Sequence, residues 1–220
     1  MKLCNTLLED LTVLRTTTTT PVWAWPSLIK AGTTRTASPR SIAKLAAPIV
    51  ALFLCATDLP ALAESEAGNR APELPSLACD SLNVPDGYRV SLHAYALGVQ
   101  IYQWDGAKWV FVAPAAGLYA DPCYAGQIGI HYAGPTWEAN DGSRVVGTRL
   151  AGCTPNRGAI PWLKLGAVSN AGHGRFAQVT FIQRVNTVGG TAPAEAGLFV
   201  GDEARVPYTA EYYFYRASQP

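Results

Sequence analysis

Short alternating apolar segments, separated by glycine-containing turns, make up most of the chain after Glu64, and no capped amphipathic helix pattern of about twelve residues occurs there. In residues 88–97 every second side chain is apolar, which is typical of a half-buried strand. Further candidate strands span residues 127–133, 160–167, 176–185 and 211–216. The pattern predicts an all-β chain that forms a single antiparallel β-sandwich or barrel-like domain over residues 82–217.

The Asp-Gly dipeptide at 105–106 is the strongest hairpin signal in the sequence. A two-residue turn would place Trp104 opposite Ala107 and Tyr102 opposite Trp109. Both faces of this hairpin are then apolar, so we expect both to be covered, as in a sandwich or barrel. The aromatic face has two open interpretations, core packing and a platform for sugar rings.

A second hairpin is predicted at Asn-Asp-Gly, residues 140–142, because these residues tolerate the positive φ of tight turns. A three-residue loop places Glu138 opposite Arg144 and Trp137 opposite Val145. This register puts the charged pair on one face and the apolar pair on the other. Glu138 therefore has a structural role available as the partner of Arg144.

The stretch 131–147 also concentrates groups that carry chemistry. A hydrolase-type enzyme could use His131 with Glu138 or Asp141 as an acid-base site, with His173 as a further candidate. No His-x-His or His-Glu-x-x-His spacing is present, so we predict no metal site and no cofactor. The structural interpretation of Glu138 stays open beside the catalytic one.

The chain contains ten tyrosines, and all of them follow Glu64. Exposed aromatic rings with little surrounding charge are typical of sites that hold sugars or other small ligands. We therefore consider an extracytoplasmic binding module for a saccharide or cell-wall-derived ligand, with these candidate residues: Tyr132, Trp137, Trp162 and Tyr213. A third alternative is a structural envelope protein without a small ligand.

The first part of the chain has the features of a leader. Residues 39–63 combine a basic start, an apolar run at 45–56 and an Ala-x-Ala site, which predicts a signal peptide cleaved after Ala63. The apolar run is shorter than the roughly 20 residues of a membrane-spanning helix, so no stable membrane anchor is expected after cleavage. We expect a secreted or periplasmic protein, in which 1–38 is a disordered extension or a wrongly assigned start and 64–81 is a linker.

The charge and cysteine content limit which partners and which cellular compartment we expect for this protein. From Glu64 onward the chain has eleven Lys and Arg against thirteen Asp and Glu, and without a basic patch we expect no nucleic-acid partner. Cys79, Cys123 and Cys153 follow the predicted cleavage site, and one disulfide is plausible in an exported chain. We expect Cys123 to pair with Cys153, because both occur in loops with glycine and proline, although the sequence leaves the other pairings open.

Several segments, taken in order, carry a resemblance to a known family, namely residues 98–102, 131–147, 158–163, 183–190 and 206–215. Together they resemble the uncharacterised family called domain of unknown function 3455, found in secreted bacterial and fungal proteins. The resemblance covers residues 82–215 and implies kinship without an established activity. Relatives often have Cys after the Gln-Ile-Tyr segment, where this chain has Gln103 and Trp104, so no family disulfide is implied here.

Overall fold

The computed structural model describes residues 70–75 and 77–218. The predicted extension 1–38, the predicted signal peptide 39–63 and its cleavage after Ala63 lie outside the described residues. Within the described residues, no helix has the length and apolar character needed to cross a membrane.

The described residues form eight β-strands in one closed antiparallel barrel. The strands are β1 Tyr88–Trp104, β2 Trp109–Tyr119, β3 Gln127–Tyr132, β4 Thr136–Ala139, β5 Arg144–Cys153, β6 Trp162–Ala171, β7 Phe181–Gly189 and β8 Glu203–Ala217. Each strand pairs with its neighbour in sequence, and β1 pairs with β8 to close the sheet. The all-β prediction is confirmed, and of its two alternatives the barrel is correct.

The interior of the barrel combines small side chains on β1 and β2 with large rings on β4 and β8. The buried members that show this contrast are Ala94, Ala96, Ala116, Trp137, Tyr208, Tyr212 and Phe214. Phe176 and Val179, from the β6–β7 connection, are buried in the same core. That connection lies at the barrel end where β6 finishes and β7 starts, and we call this the packed end. Burial of each large apolar side chain in this core stabilises the fold by about 1.5 to 3 kcal/mol.

A β-bulge between Val90 and Leu92 changes which face of β1 points inward. From Leu92 onward, alternate apolar residues join the interior core, whereas Tyr88 and Val90 pack on the outside of the barrel. The Ser91 hydroxyl at the bulge donates a hydrogen bond to the Phe214 carbonyl at 3.1 Å. The alternation expected for residues 88–97 is therefore present, but its apolar residues are divided between two different hydrophobic cores.

The second core lies outside the barrel and is covered by a 3-10 helix, Leu77–Leu82. We call it the outer cluster, and its buried residues are Cys79, Leu82, Val90, Trp162, Val185, Tyr213 and Tyr215. A disulfide joins Cys79 to Cys153 at the end of β5. The segment expected to be a linker, 64–81, thus contains an element that packs against the barrel. The expected pairing of Cys123 with Cys153 is wrong, because a buried cysteine of this segment bonds to Cys153.

The two hairpins with glycine turns differ in how well they were predicted. The β4–β5 hairpin is confirmed, with Glu138 paired with Arg144 and Gly142 at φ 80° in its three-residue loop. The β1–β2 hairpin has a different register, because Trp104 pairs with Trp109 across a four-residue loop. Asp105 explains the longer loop, since its carboxylate accepts the backbone N–H groups of residues 107 and 108, each at 2.8 Å.

Candidate functional site

A cavity of about 850 Å³ opens at the barrel end opposite the packed end. We call it the chamber. Its inner wall includes Gln100, Tyr102, His131, Trp137, Arg184 and Tyr212, and its rim includes Phe111, Val112, Thr148, Arg149 and Val168. Cavities of about 300 to 1,000 Å³ hold small molecules in other proteins, and an eight-stranded barrel has room for one such ligand.

Three side chains that touch one another separate the chamber from the packed end. His131 on β3 and Trp137 on β4 are paired across the hairpin, and their rings stack with centroids 4.4 Å apart. Tyr212 on β8 reaches across the barrel to both, with centroid distances of 5.2 Å to His131 and 5.5 Å to Trp137. Phe214 lies next to Trp137 and belongs to the core below. The chamber therefore has an aromatic floor.

His131 is a neutral side chain with one defined tautomer. Its Nδ1 lies 2.8 Å from the Thr136 carbonyl oxygen, which can only accept, so Nδ1 carries the hydrogen. Burial lowers the pKa of His131 to about 3; the Thr136 hydrogen bond opposes this effect and the Arg184 charge adds to it. The Nε2 atom is left as an acceptor, and no described residue donates to it.

Arg184 on β7 is the cation of the inner wall. Its Nε and Nη2 atoms donate to the Pro161 carbonyl oxygen at 3.1 and 2.9 Å, which fixes the plane of the guanidinium group. Among the described residues, no carboxylate forms an ion pair with Arg184, and no Asp or Glu lines the chamber. Arg149 at the rim adds a second positive charge. The chamber therefore has a positive potential that the described side chains do not neutralise.

Three polar atoms of the chamber wall are buried without a hydrogen-bond partner, namely Gln100 Nε2, Trp137 Nε1 and Tyr212 Oη. Tyr208 Oη is a fourth such atom in the neighbouring core. Burial raises the pKa of both tyrosines, and the nearby charge of Arg184 partly opposes this effect. The unpartnered atoms of the two tyrosines and of Gln100 do not reach hydrogen-bonding geometry. Each such group costs about 1 to 3 kcal/mol of folding free energy. Tyr102 differs, because its hydroxyl donates to the Gly190 carbonyl at 2.6 Å.

The two carboxylates of the predicted acid-base site lie away from His131. Glu138 follows the inward-facing Trp137 and points outside the barrel, where it accepts a hydrogen bond from Tyr132 at 2.7 Å. Asp141 is in the β4–β5 loop at the packed end, and hydrogen bonds from Ser143 and from the backbone N–H of residue 175 hold its pKa below the usual value. The structure therefore does not bring these groups together with His131.

The remaining predicted site residues are also dispersed. His173 lies in the β6–β7 connection and lines a separate depression at the packed end. Of the four aromatic candidates, Trp137 alone lines the chamber, whereas Tyr132 is on the outer face and Trp162 and Tyr213 are buried in the outer cluster. The expected aromatic surface is therefore not one continuous site.

A second polar group lies on the outer face, between β1 and β8. His93 Nε2 is 2.7 Å from Glu211 Oε2, and the His93 ring stacks on Tyr213 with centroids 4.0 Å apart. Burial opposes ionisation of Glu211, but hydrogen bonds from His93, Asn186 and Tyr213 outweigh it and hold the pKa of Glu211 below its usual value. None of these residues lines the chamber or the depression that contains His173.

Sequence reasoning missed Gln100, Arg184 and Tyr212 as chamber residues. The available signal was a polar or basic residue within an apolar strand, as at Gln100 between Val99 and Ile101. Whether such a residue points inward depends on bulges that a sequence does not reveal. Within the described residues, no group of three or more His, Cys, Asp or Glu side chains could hold a metal ion.

The model of one protein family, described as Protein of unknown function (DUF3455), matches residues 85–216. The chain belongs to the DUF3455 family. The match to DUF3455 covers all eight strands except the last residue of β8, so it includes the whole chamber wall. The comparisons found no match to this chain among curated proteins or among solved structures.

Proposed function

We propose that this DUF3455 protein is a binding protein that holds one small, largely apolar molecule inside the barrel. The observation that carries the proposal is a chamber of about 850 Å³ whose wall contains three buried, unpartnered polar atoms. A ligand or ordered water would complete these hydrogen bonds, and ligand sites commonly combine an apolar lining with a few such groups.

A ligand inside the barrel is better supported than a saccharide on exposed aromatic rings. One face of Trp137 is already covered by the stacked His131 ring, and Trp162 is only 8% exposed. Neither ring offers the open face on which a sugar stacks. Trp137 and Tyr212 lie in the chamber floor, and Trp162, Tyr213 and Tyr215 lie in the outer cluster.

The other two alternatives have less support. A hydrolase using His131 would need a carboxylate or nucleophile beside Nε2. No Asp, Glu, Ser or Cys lines the chamber among the described residues, and Thr148 is exposed at the rim. A purely structural protein would be expected to fill its core, because voids cost packing energy. A large chamber with unpartnered donors is therefore better explained by binding.

We also propose that binding takes place outside the cytoplasm. The signal peptide pattern at 39–63 motivates this location, and the disulfide between Cys79 and Cys153 is consistent with an oxidising compartment. A ligand available to such a protein would come from the envelope or the surroundings of the cell.

The proposal is tested with a neutral, environment-sensitive dye, N-phenyl-1-naphthylamine, added to the purified protein. We expect saturable binding with a stoichiometry of one and an increase in dye fluorescence. Leu163 lines the chamber, so Leu163→Trp should fill part of it and weaken dye binding at least about tenfold.

The matched control is Leu198→Trp, the same substitution on the β7–β8 connection, where Leu198 is 86% exposed. This variant should bind the dye like the wild-type protein. Absence of saturable binding to the wild-type protein, or equal loss in both variants, would contradict a ligand site in the barrel.

A further inference from the structure

We propose that the ligand of the chamber is an apolar carboxylic acid whose carboxylate binds Arg184. This inference rests on the proposed binding function and specifies the chemical class of the ligand. Arg184 is a cation without a described counter-ion, it lies beside unpartnered donors, and the rest of the chamber wall is largely apolar.

The guanidinium of Arg184 is oriented but not neutralised. Two of its donor atoms bind the Pro161 carbonyl oxygen, and no described carboxylate pairs with the charge. The Nη1 atom makes no hydrogen bond with a described residue. A partly buried cation without a counter-ion is unfavourable unless something supplies the negative charge. A carboxylate is a planar, two-oxygen acceptor that suits a guanidinium group.

Arg184 lies directly opposite Tyr212 in the pairing of β7 with β8. Directly opposed residues on one face of a sheet have side chains within reach of the same small group. Tyr212 is 1% exposed and its hydroxyl has no partner, so it is available to donate to a carboxylate oxygen. Gln100 Nε2 and Trp137 Nε1 are further unpartnered donors on the same wall. His131 Nε2 is an unpartnered acceptor on the same wall, but the unpartnered donors outnumber it, which favours a ligand rich in acceptors.

The rest of the chamber requires an apolar body for this ligand. Its remaining wall and rim are largely hydrocarbon, as these lining residues show: Phe111, Val112, Ile160, Leu163, Leu165 and Val168. A small inorganic anion would leave this surface in contact with water, and a cationic ligand would be repelled by Arg184 and Arg149. A neutral apolar molecule would leave the guanidinium without a counter-charge.

The experiment measures how well matched acids and primary amides displace N-phenyl-1-naphthylamine from the purified protein at pH 7.5. The pairs are decanoic acid with decanamide and naphthalene-2-carboxylic acid with its amide, which cover a linear and a ring-shaped body. At least one acid should bind about tenfold to a hundredfold more tightly than its amide, the range for charge-assisted hydrogen bonds. In Arg184→Gln this ratio should fall to near one.

Arg89→Gln is the matched control, because it removes the same charge from an exposed position of β1 that does not line the chamber. It should change the ratio less than about fivefold, as expected for an exposed charge. Tyr212→Phe removes one hydroxyl that has no partner, and it should weaken the acid more than the amide. Circular dichroism shows whether Arg184→Gln folds. If it does not, Tyr212→Phe still tests the carboxylate contact on this wall.

The possible failures are distinguishable. If the dye binds but no acid is preferred over its amide, the carboxylate inference is overturned and the binding function stands. An acid preference that survives both Arg184→Gln and Tyr212→Phe would place the anion elsewhere and also overturn the inference. If no dye binds to the wild-type protein, the proposed function itself is contradicted, and the inference with it.

Discussion

His131 and Trp137 stack across the β3–β4 hairpin with their ring planes 9° from parallel. The stack has a polar edge on each member, because Trp137 Nε1 has no hydrogen-bond partner and His131 Nε2 keeps its lone pair. At the floor of the chamber, this pair can offer a bound ligand one hydrogen-bond donor and one acceptor. It also makes the stability of the protein sensitive to pH.

The first prediction follows from the pKa of about 3 for His131. The unfolded chain binds a proton near pH 6.5 and the folded protein does not, so stability is full above about pH 6.5 and falls as the pH decreases towards 3. Protonation of His131 in the unfolded chain should therefore lower the free energy of unfolding of the protein by about 2 kcal/mol between pH 8 and pH 5. Urea unfolding measures the loss, and His131→Phe, which keeps an aromatic stack, should lack that increment. Equal pH dependence of the two proteins would show that folding does not lower the pKa of His131.

The second prediction concerns the disulfide. Cys79 and Cys153 are 74 residues apart in sequence, so the bridge restricts a long loop of the unfolded chain. Replacing both cysteines by Ala should lower the unfolding free energy by about 4 kcal/mol. Mass spectrometry of an unreduced digest checks the connectivity directly. A peptide linking Cys123 to Cys153 would refute the observed arrangement.

The third prediction tests the close approach of β1 and β2. A Cβ on Gly98 would lie 2.2 Å from the Ala115 carbonyl oxygen, so Gly98→Ala must displace backbone. We expect a loss of about 3 kcal/mol in chemical unfolding. Gly158→Ala is the control, since its nearest atom is the Asn156 side-chain oxygen at 3.3 Å, and it should change stability by less than about 0.5 kcal/mol. Similar losses in the two variants would mean that the strands do not approach so closely.

The fourth prediction concerns export. If residues 39–63 act as a signal peptide, the mature protein should begin at Glu64. N-terminal sequencing of protein recovered from the periplasm or medium identifies the first residue. Changing Ala61 and Ala63 to Leu should block processing, because signal peptidase requires small residues at these positions. A mature chain that retains residues 39–63 would exclude the proposed cleavage.

Local turn chemistry explains which parts of the fold could be predicted. Around the Asn-Asp-Gly loop at 140–142, the expected pairing of Glu138 with Arg144 and of Trp137 with Val145 selected the three-residue loop correctly. At 105–106 the same approach failed, because the Asp105 side chain stabilises a longer loop by capping backbone N–H groups. Both loops contain a glycine with a positive φ, Gly106 at 100° and Gly142 at 80°, so φ alone does not fix the number of loop residues.

The candidate site was harder to predict because it depends on contacts between distant strands. His131 and Trp137 were singled out in one stretch of sequence, whereas Arg184 and Tyr212 come from strands near the end of the chain. Their convergence requires the pairing of β1 with β8, which no local pattern encodes. The Cys79 contact was missed for a similar reason, since a proline-flanked segment gave no sign that it would pack on the barrel.

The pairing of the first strand with the last has a consequence for how the protein is made. Tyr88 lies opposite Ala217, so one edge of β1 remains unpaired until β8, residues 203–217, has left the ribosome. A nascent or truncated chain without β8 would present that edge to other chains, which is a recognised route to aggregation. Premature stop codons before residue 203 should therefore yield insoluble material rather than a smaller working barrel.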